Sequence, residues 1–256
     1  MGLSCGPPSM LVLLFPQSWM MLLNLVYLFL PWLGEKKDLG QALGPWSVQK
    51  VILNSEELPS SSSPVAVEKL SSSEIINEMR MSLLRLKADY MDVTGKTVDY
   101  AALKSSDKYS DYLKVATQLK DVDLSTDSVQ QRKAFFINAY NCLIIHSLVE
   151  DRLKKVLFSD QLGRLKLYAS SAYNVGGQIY SLNDMENGVL RGNKPSAAPG
   201  SRPPFQPDDA RITTILPCDP RIHFALNCGA MGCPAIAVYD ESELDEQLDD
   251  ATASVK

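Results

Sequence analysis

Residues 135–149 read FFINAYNCLIIHSLV, and this stretch decides the fold. Its apolar side chains cover almost the whole circumference of a helix with 3.6 residues per turn. Such a helix has no face left for solvent, so the sequence predicts that it is buried. We expect the helix to occupy residues 128–155 and to form the centre of one globular domain.

Asn138, Asn141, Cys142 and His146 lie within this apolar helix. At 100° per residue, positions 138, 142 and 146 share one face, and position 141 lies beside it. Each buried polar group without a partner would cost about 1–3 kcal/mol, so these groups need partners. In one interpretation the asparagines bind the backbone of a neighbouring segment, and in the other the polar stripe lines an active cleft. For the asparagines alone we favour the backbone interpretation.

The flanking patterns predict a mainly helical α+β domain with a small antiparallel sheet. Ser71 and Glu74 have capping-box spacing, and apolar residues then follow at helical intervals to about Ala88. A second helical stripe is predicted at residues 109–119, and a hairpin at 173–180 with Gly176 and Gly177 in its turn. A short helix at 181–190, ended by Gly192, and a last amphipathic helix at 241–250 follow. A proline-rich surface loop is expected at residues 193–207.

Three regions are predicted along the chain. Residues 11–33 contain no charge over 23 positions, long enough for a membrane segment, so residues 1–34 are expected to be a membrane anchor, with a secretory signal as the alternative. Residues 35–70 are rich in serine and proline and are expected to be a flexible linker. Residues 71–256 are expected to form the folded domain. The side of the membrane is not specified by the flanking charges.

The overall charge argues against nucleic acid as a partner. The net charge is −5 and the isoelectric point is about 5.1, whereas binding to phosphate backbones relies on clustered Lys and Arg. The expected partner is therefore an unknown small molecule or protein. Five cysteines are too few for a disulfide-dense scaffold, and the odd number leaves one unpaired even if the others form bridges.

The densest group of reactive side chains lies in residues 221–234, RIHFALNCGAMGCP. Its first half alternates, with Ile222, Phe224 and Leu226 on one face, which predicts a β-strand. Glycines and a proline then predict a tight turn that carries Cys228 and Cys233.

Several chemistries fit this group. A cysteine in a glycine-rich turn has backbone N–H groups nearby, so Cys228 or Cys233 is a candidate nucleophile, with His146 or His223 as its base and an asparagine to orient the imidazole. Alternatively, the two cysteines and the two histidines form a zinc site. A disulfide between the cysteines, or buried free thiols with only a packing role, are two further interpretations. No other cofactor is indicated.

The order and spacing of several motifs closely resemble those of the domain of unknown function 547 family. The motifs are AFFINAYN at residues 134–141 with His146, YNVGG at 173–177, SLNDME at 181–186 with Leu190 and Arg191, and DPRIHFALNCG at 219–229 with Cys233 and Pro234. The similarity extends from about residue 71 to the C-terminus. It implies a domain and no particular reaction, since the family has no established activity.

The resemblance refines the choice of residues. Cys142 stands where the family has a small apolar residue, which makes it a core residue and not a nucleophile. The candidates on family motif positions are Asn138, Asn141, His146, Glu186, Arg191, His223, Cys228 and Cys233. The resemblance also implies that family members continue beyond the acidic last helix, so this chain is expected to be a truncated form. The functional expectation is a thiol-dependent hydrolase or transferase, with a non-catalytic protein-interaction module that has a structural Cys/His cluster as the alternative.

Overall fold

The structure is a computed structural model. It describes residues 49–55, 70–93, 98–150, 167–196, 201–227, 237 and 239–254. The predicted membrane segment at residues 1–34 and the turn with Cys228 and Cys233 lie outside these ranges. Among the described helices, none combines the length and the apolar character needed to cross a membrane.

The described chain forms an α+β domain that is mainly helical and has a small sheet, as predicted. Its α-helices are α1 (Ser72–Asp89), α2 (Tyr100–Lys104), α3 (Asp107–Thr117), α4 (Val129–Val149), α5 (Ile222–Ala225) and α6 (Leu244–Ala253). Its strands are β1 (Val51–Ile52), β2 (Ser171–Val175) and β3 (Gln178–Ser181). A π-helix covers Asp184–Leu190, and 3₁₀ turns cover Gln118–Asp121 and Ala210–Thr214.

Helix α4 is the buried central helix that the sequence predicts. Ser128 caps its N-terminus through a capping box with Gln131, and the helix ends at Val149, six residues before the predicted limit. Phe136, Ile137 and Leu143 have no exposed surface. Helix α1 packs along α4, and its own capping box between Ser71 and Glu74 is confirmed. The hydrophobic core therefore surrounds α4.

The sheet is mixed and has the order β1-β2-β3. The predicted hairpin is confirmed: β2 and β3 pair antiparallel, with Tyr173 opposite Tyr180 and with Gly176 and Gly177 in the turn at positive φ. Strand β1 pairs parallel with β2, with Val51 opposite Ser171. Residues 49–55, which the sequence analysis includes in the flexible linker, thus contribute a strand to the folded domain.

The prediction of a β-strand at residues 221–226 is wrong, because this stretch forms the short helix α5. Backbone N–H groups of Ile222 and His223 donate to the carbonyls of Asp219 and Pro220 and start a helical turn. Ile222 and Ala225, three residues apart, are the buried positions, which is helical spacing. Six residues of alternating polarity are too few to distinguish the two periods.

Charged groups fasten α5 to its neighbours. The Arg221 guanidinium binds Asp219 at 2.8 Å, Asp245 at 2.7 Å and Asp249 at 2.8 Å, and the last two carboxylates belong to α6. Lys133 on α4 binds the same Asp219 at 3.0 Å. Burial alone would raise the pKa of Asp219, but the hydrogen bonds from Arg221 and Lys133 outweigh it and hold the pKa well below its usual range. The acidic last helix is confirmed and serves as the partner of Arg221.

Candidate functional site

Asn141 on α4 clamps the segment that leads to Cys228. Its Nδ2 donates to the carbonyl oxygen of Ala225 at 3.0 Å, and its Oδ1 accepts from the backbone N–H of Asn227 at 2.9 Å. The amide is 2 % exposed, so both hydrogen bonds are shielded from water. The residue immediately before Cys228 is therefore anchored to the rigid central helix.

Asn138 makes the same kind of clamp one turn earlier. Its Nδ2 donates to the carbonyl oxygen of Tyr239 at 2.7 Å, and its Oδ1 accepts from the N–H of Tyr239 at 3.3 Å. Both asparagines thus bind the backbone of neighbouring segments, which confirms the structural interpretation of these two residues. They fix the two ends of residues 227–239, the segment that carries both candidate cysteines.

His146 does not join this group. Its Nδ1 lies 3.0 Å from the hydroxyl of Tyr173, which is in turn 2.7 Å from the hydroxyl of Tyr112. The rings of Tyr109 and Tyr112 contact the imidazole edge to face, at 5.9 Å and 5.4 Å between centroids. Burial lowers the pKa of His146 to about 4, so the ring is neutral at pH 7. These contacts are those of a core histidine, on the side of α4 that faces the hairpin and α3.

Cys142 is buried and free, as expected for a core residue. It is 2 % exposed, and burial raises the pKa of its thiol to about 12. A thiol with this pKa has almost no thiolate at pH 7 and is a poor nucleophile.

Glu186 lies in the π-helix Asp184–Leu190, which packs against α4. π-Helical turns are rare and frequently occur at functional sites. The Glu186 residue is partly exposed, yet its carboxyl group is surrounded by protein, and burial raises its pKa although Arg191 lowers it. The nearest described donor is the hydroxyl of Tyr140, at 3.4 Å. Glu186 is therefore a carboxyl group that favours its protonated form more than an ordinary glutamate does.

Arg191 caps the C-terminal end of this π-helix and is 3 % exposed. Its Nη1 donates to Oδ1 of Asn187 and, at 3.4 Å, to the carbonyl oxygen of Pro195. Its Nε is buried without a hydrogen-bond partner. Gly192 has φ +71°, and a side chain there would meet the Leu216 carbonyl oxygen and Cys218, so the chain before α5 lies close to Arg191.

His223 on α5 lies within electrostatic range of Arg191. The imidazole is partly exposed, and no hydrogen bond to it occurs within the described part of the chain. Burial and, to a smaller extent, the positive charge of Arg191 lower its pKa to about 4. The ring is neutral at pH 7 and has a nitrogen lone pair for accepting a proton. The structure therefore brings Glu186 and His223 each into electrostatic range of Arg191.

Cys228 and Cys233 lie outside the described residues. Cys218 is disulfide-bonded, and Cys142 is free, so the partner of Cys218 also lies outside the described residues. A bridge at Cys218 is not among the disulfides that the sequence suggested, which were limited to Cys228 and Cys233. Among the described residues, no three His, Cys, Asp or Glu side chains are grouped as metal ligands.

The sequence analysis also missed Tyr140 and Asn187 as neighbours of Glu186 and Arg191. Asn187 lies four residues before Arg191, which is a signal for a contact on one helical face. Tyr140 lies within the AFFINAYN motif, but its contact with Glu186 joins residues 46 positions apart, which no local pattern indicates.

A family model described as "Protein of unknown function, DUF547" matches residues 124–254. The match includes α4, the hairpin, the π-helix, α5 and α6, and it begins later than the residue 71 that the resemblance implies. No curated protein and no solved structure matches the chain. The match covers half of the chain, and it includes every candidate residue described above. The chain therefore belongs to the DUF547 family of proteins of unknown function.

Proposed function

We propose that this protein is a thiol-dependent hydrolase or acyl transferase. The observation that carries the proposal is the cluster of Glu186, Arg191 and His223: the charge of Arg191 acts on the other two side chains, and the described residues contain no ion pair among the three. Structural ion-pair networks pair their charges, whereas active sites leave shifted groups available for a substrate. The Asn141 clamp supports the proposal, because it holds the backbone next to Cys228 against a rigid helix.

The proposed reaction assigns one role to each group. The thiol of Cys228 or Cys233 transfers its proton to His223, and the sulfur attacks a carbonyl carbon. The bond from that carbon to the leaving group breaks, the imidazolium returns the proton to the leaving group, and a thioester remains. Water, or another acceptor, then attacks the thioester with His223 as base and restores the thiol. Glu186 in its protonated form would donate a hydrogen bond to the carbonyl oxygen in the tetrahedral state.

The first experiment locates the thiols. Peptide mapping of the unreduced full-length protein identifies the partner of Cys218 and thereby shows which cysteines are free. A cysteine-reactive iodoacetamide probe at pH 7 then measures the labelling rate of each one. We expect one cysteine of residues 228–233 to label fastest, and its exchange for alanine to abolish that signal. Cys142→Ala is the matched control, since its buried thiol has a pKa of about 12 and contributes no labelling.

The role of His223 is tested in the same assay. His223→Gln is expected to reduce the labelling rate about tenfold or more, and to reduce hydrolysis of activated acyl esters on the order of 10²-fold, because a general base typically contributes that much. His146→Gln removes the other histidine and is expected to leave the labelling rate of the folded protein unchanged. Equal, slow labelling of all forms would show that no activated thiol exists and would favour the non-catalytic interaction module.

A further inference from the structure

Arg191 is a buried cation that makes no ion pair within the described chain, although the Glu186 carboxyl lies within electrostatic range of it. Its side chain is 3 % exposed, and within the described chain no carboxylate lies within 4.0 Å of its guanidinium. Burying an isolated charge is unfavourable, and proteins normally place a carboxylate, a metal or a ligand beside it. Neither Asn187 nor Pro195, its two hydrogen-bond partners, carries a charge.

Two other arginines of the same domain show the usual arrangement, whereas Arg80 is buried with its Nε and Nη1 unpaired, as Arg191 is with its Nε. Arg211 binds Asp209 at 2.7 Å and Asp184 at 3.1 Å, and its guanidinium stacks 4.4 Å from the centre of the Phe205 ring. Arg221 binds three carboxylates. Both of these arginines are more exposed than Arg191, so the least exposed of the three is the one without a counter-ion.

The free atoms of Arg191 form one edge of its guanidinium. Nη1 is held by Asn187 and by the Pro195 carbonyl, which fixes the plane of the group. Nε is buried without a partner, and Nη2 makes no hydrogen bond to the described residues. The Nε–Nη2 edge offers two parallel N–H donors, the arrangement that binds the two oxygens of a carboxylate.

We propose that the Nε–Nη2 edge of Arg191 is the binding site for a carboxylate group of the ligand. The substrate is then an acyl compound that also carries a free carboxylate. This choice of substrate class rests on the proposed function. His223 and Glu186 lie within electrostatic range of the same guanidinium, so a carboxylate held there would lie beside the proposed acid and base.

A carboxylate fits the charge of the site better than a phosphate does. Arg191 is the one cation of the described cluster, since His223 is neutral at pH 7. A single guanidinium balances the single charge of a carboxylate, whereas a phosphate monoester carries close to two negative charges at this pH. The site thus selects a monoanion by charge as well as by the spacing of its two donors.

The first test uses the wild-type full-length protein and acetate as the probe. The ¹⁵N-coupled Nε–H resonance of Arg191, assigned by its loss in Arg191→Gln, is followed during titration with sodium acetate, sodium chloride and inorganic phosphate at constant ionic strength. We expect a saturable shift with acetate, half complete on the order of 10 mM, and smaller shifts with the other two salts. An equal response to chloride would overturn the carboxylate site, and a stronger response to phosphate would show that the site is built for phosphate.

The second test compares two alkylating agents on the reactive thiol. Iodoacetate carries a carboxylate and iodoacetamide does not, so the ratio of their rates measures the attraction of the site for an anion. We expect this ratio to fall about tenfold in Arg191→Gln, to recover in part in Arg191→Lys, and to stay unchanged in Arg85→Gln, which removes an exposed arginine of α1. Circular dichroism verifies that each variant is folded.

The two tests separate the two proposals. If acetate shifts the Arg191 resonance but no thiol is reactive, the carboxylate site stands and the thiol enzyme fails. If a thiol is reactive but acetate leaves the resonance unchanged and the rate ratio is the same in Arg191→Gln, the enzyme stands and the carboxylate site fails. If Arg191→Gln does not fold, the loss of the same resonance in Arg191→Lys assigns it, and the wild-type titration still gives its result.

Discussion

At the scale of single residues, the two histidines of the chain differ in their surroundings although burial lowers the pKa of both to about 4. His146 is enclosed by tyrosine rings and binds the Tyr173 hydroxyl. His223 is partly exposed and lies near Arg191. The neutral imidazole of His146 thus packs in the core, whereas in our proposal the neutral imidazole of His223 accepts a proton.

Protonation of His146 should make the stability of the domain depend on pH. A folded-state pKa of about 4 is below the usual value of 6.5, so the unfolded chain binds the proton more tightly than the folded one. Stability is then full above pH 6.5 and is lost as the pH falls from 6.5 towards 4. When the pH is lowered from 7.5 to 5.0, the free energy of unfolding should fall by about 2 kcal/mol less in His146→Phe than in the wild type. Urea unfolding at the two pH values measures this difference. An unchanged pH dependence in His146→Phe would contradict the contribution of this residue, and His223→Gln tests the other histidine separately.

The two asparagine clamps should act locally and independently. Asn141→Ala leaves a buried carbonyl at Ala225 and a buried N–H at Asn227 without this partner, which should cost about 2–4 kcal/mol. Hydrogen exchange should become faster at the Asn227 amide and stay slow at Tyr239. Asn138→Ala is the matched variant and should reverse this pattern. Uniformly faster exchange in both variants would mean that the clamps support the whole core instead.

At the scale of secondary-structure elements, the hairpin turn offers a pair of glycines in different surroundings. Gly176 has φ +57°, and a methyl group there would lie 2.6 Å from the carbonyl oxygen of Val122. Gly177 has φ +79° and nothing within 4 Å of the same position. We expect Gly177→Ala to cost about 1 kcal/mol from backbone strain alone, and Gly176→Ala to cost about 3 kcal/mol because of the added clash. Thermal unfolding of the two variants measures the difference, and equal losses would show that the 3₁₀ turn moves away freely.

Elements with a local signal were predictable from the sequence. Capping boxes at Ser71 and Ser128 mark the starts of α1 and α4, and the glycine pair marks the hairpin turn. Helix α5 was not predictable. It is held by backbone hydrogen bonds to Asp219 and Pro220 and by the carboxylates of α6. Contacts of this kind leave no periodic pattern in the local sequence.

The sequence motifs name the candidate residues, but their grouping in space was not predictable. The polar stripe on α4 suggests that Asn141 and His146 share a surface, since they lie near one face. Different segments cover that face at its two ends: Tyr112 and Tyr173 pack on His146, and the 225–227 backbone packs on Asn141. Which segment covers a helix face depends on the tertiary fold, so helical spacing alone could not separate the core histidine from the site.

At the scale of the whole molecule, residues before the family match take part in the same fold. Strand β1 pairs with β2, and Lys50 binds Asp184, the first residue of the π-helix that carries Glu186. Asp184 also accepts hydrogen bonds from Arg211 and from the N–H of Ser181. The N-terminal strand is therefore connected through one buried carboxylate to the candidate site.

Asn54 should decide whether this strand stays bound. Its Nδ2 donates to the carbonyls of Ala116 at 3.1 Å and Asn174 at 2.8 Å, and its Oδ1 accepts from the N–H of Asn174 at 2.8 Å. Asn54 is 3 % exposed, so Asn54→Ala leaves these backbone groups without their partner and should destabilise the whole domain by about 2–4 kcal/mol. Ser55→Ala, which removes one exposed local hydrogen bond, should change the stability by less than about 0.5 kcal/mol. Urea unfolding, followed by far-ultraviolet circular dichroism, compares the stability of the two variants. If the two variants unfold at the same urea concentration, the strand docks without stabilising the domain; if Asn54→Ala alone unfolds earlier, residues 49–55 belong to the cooperative unit that carries the site.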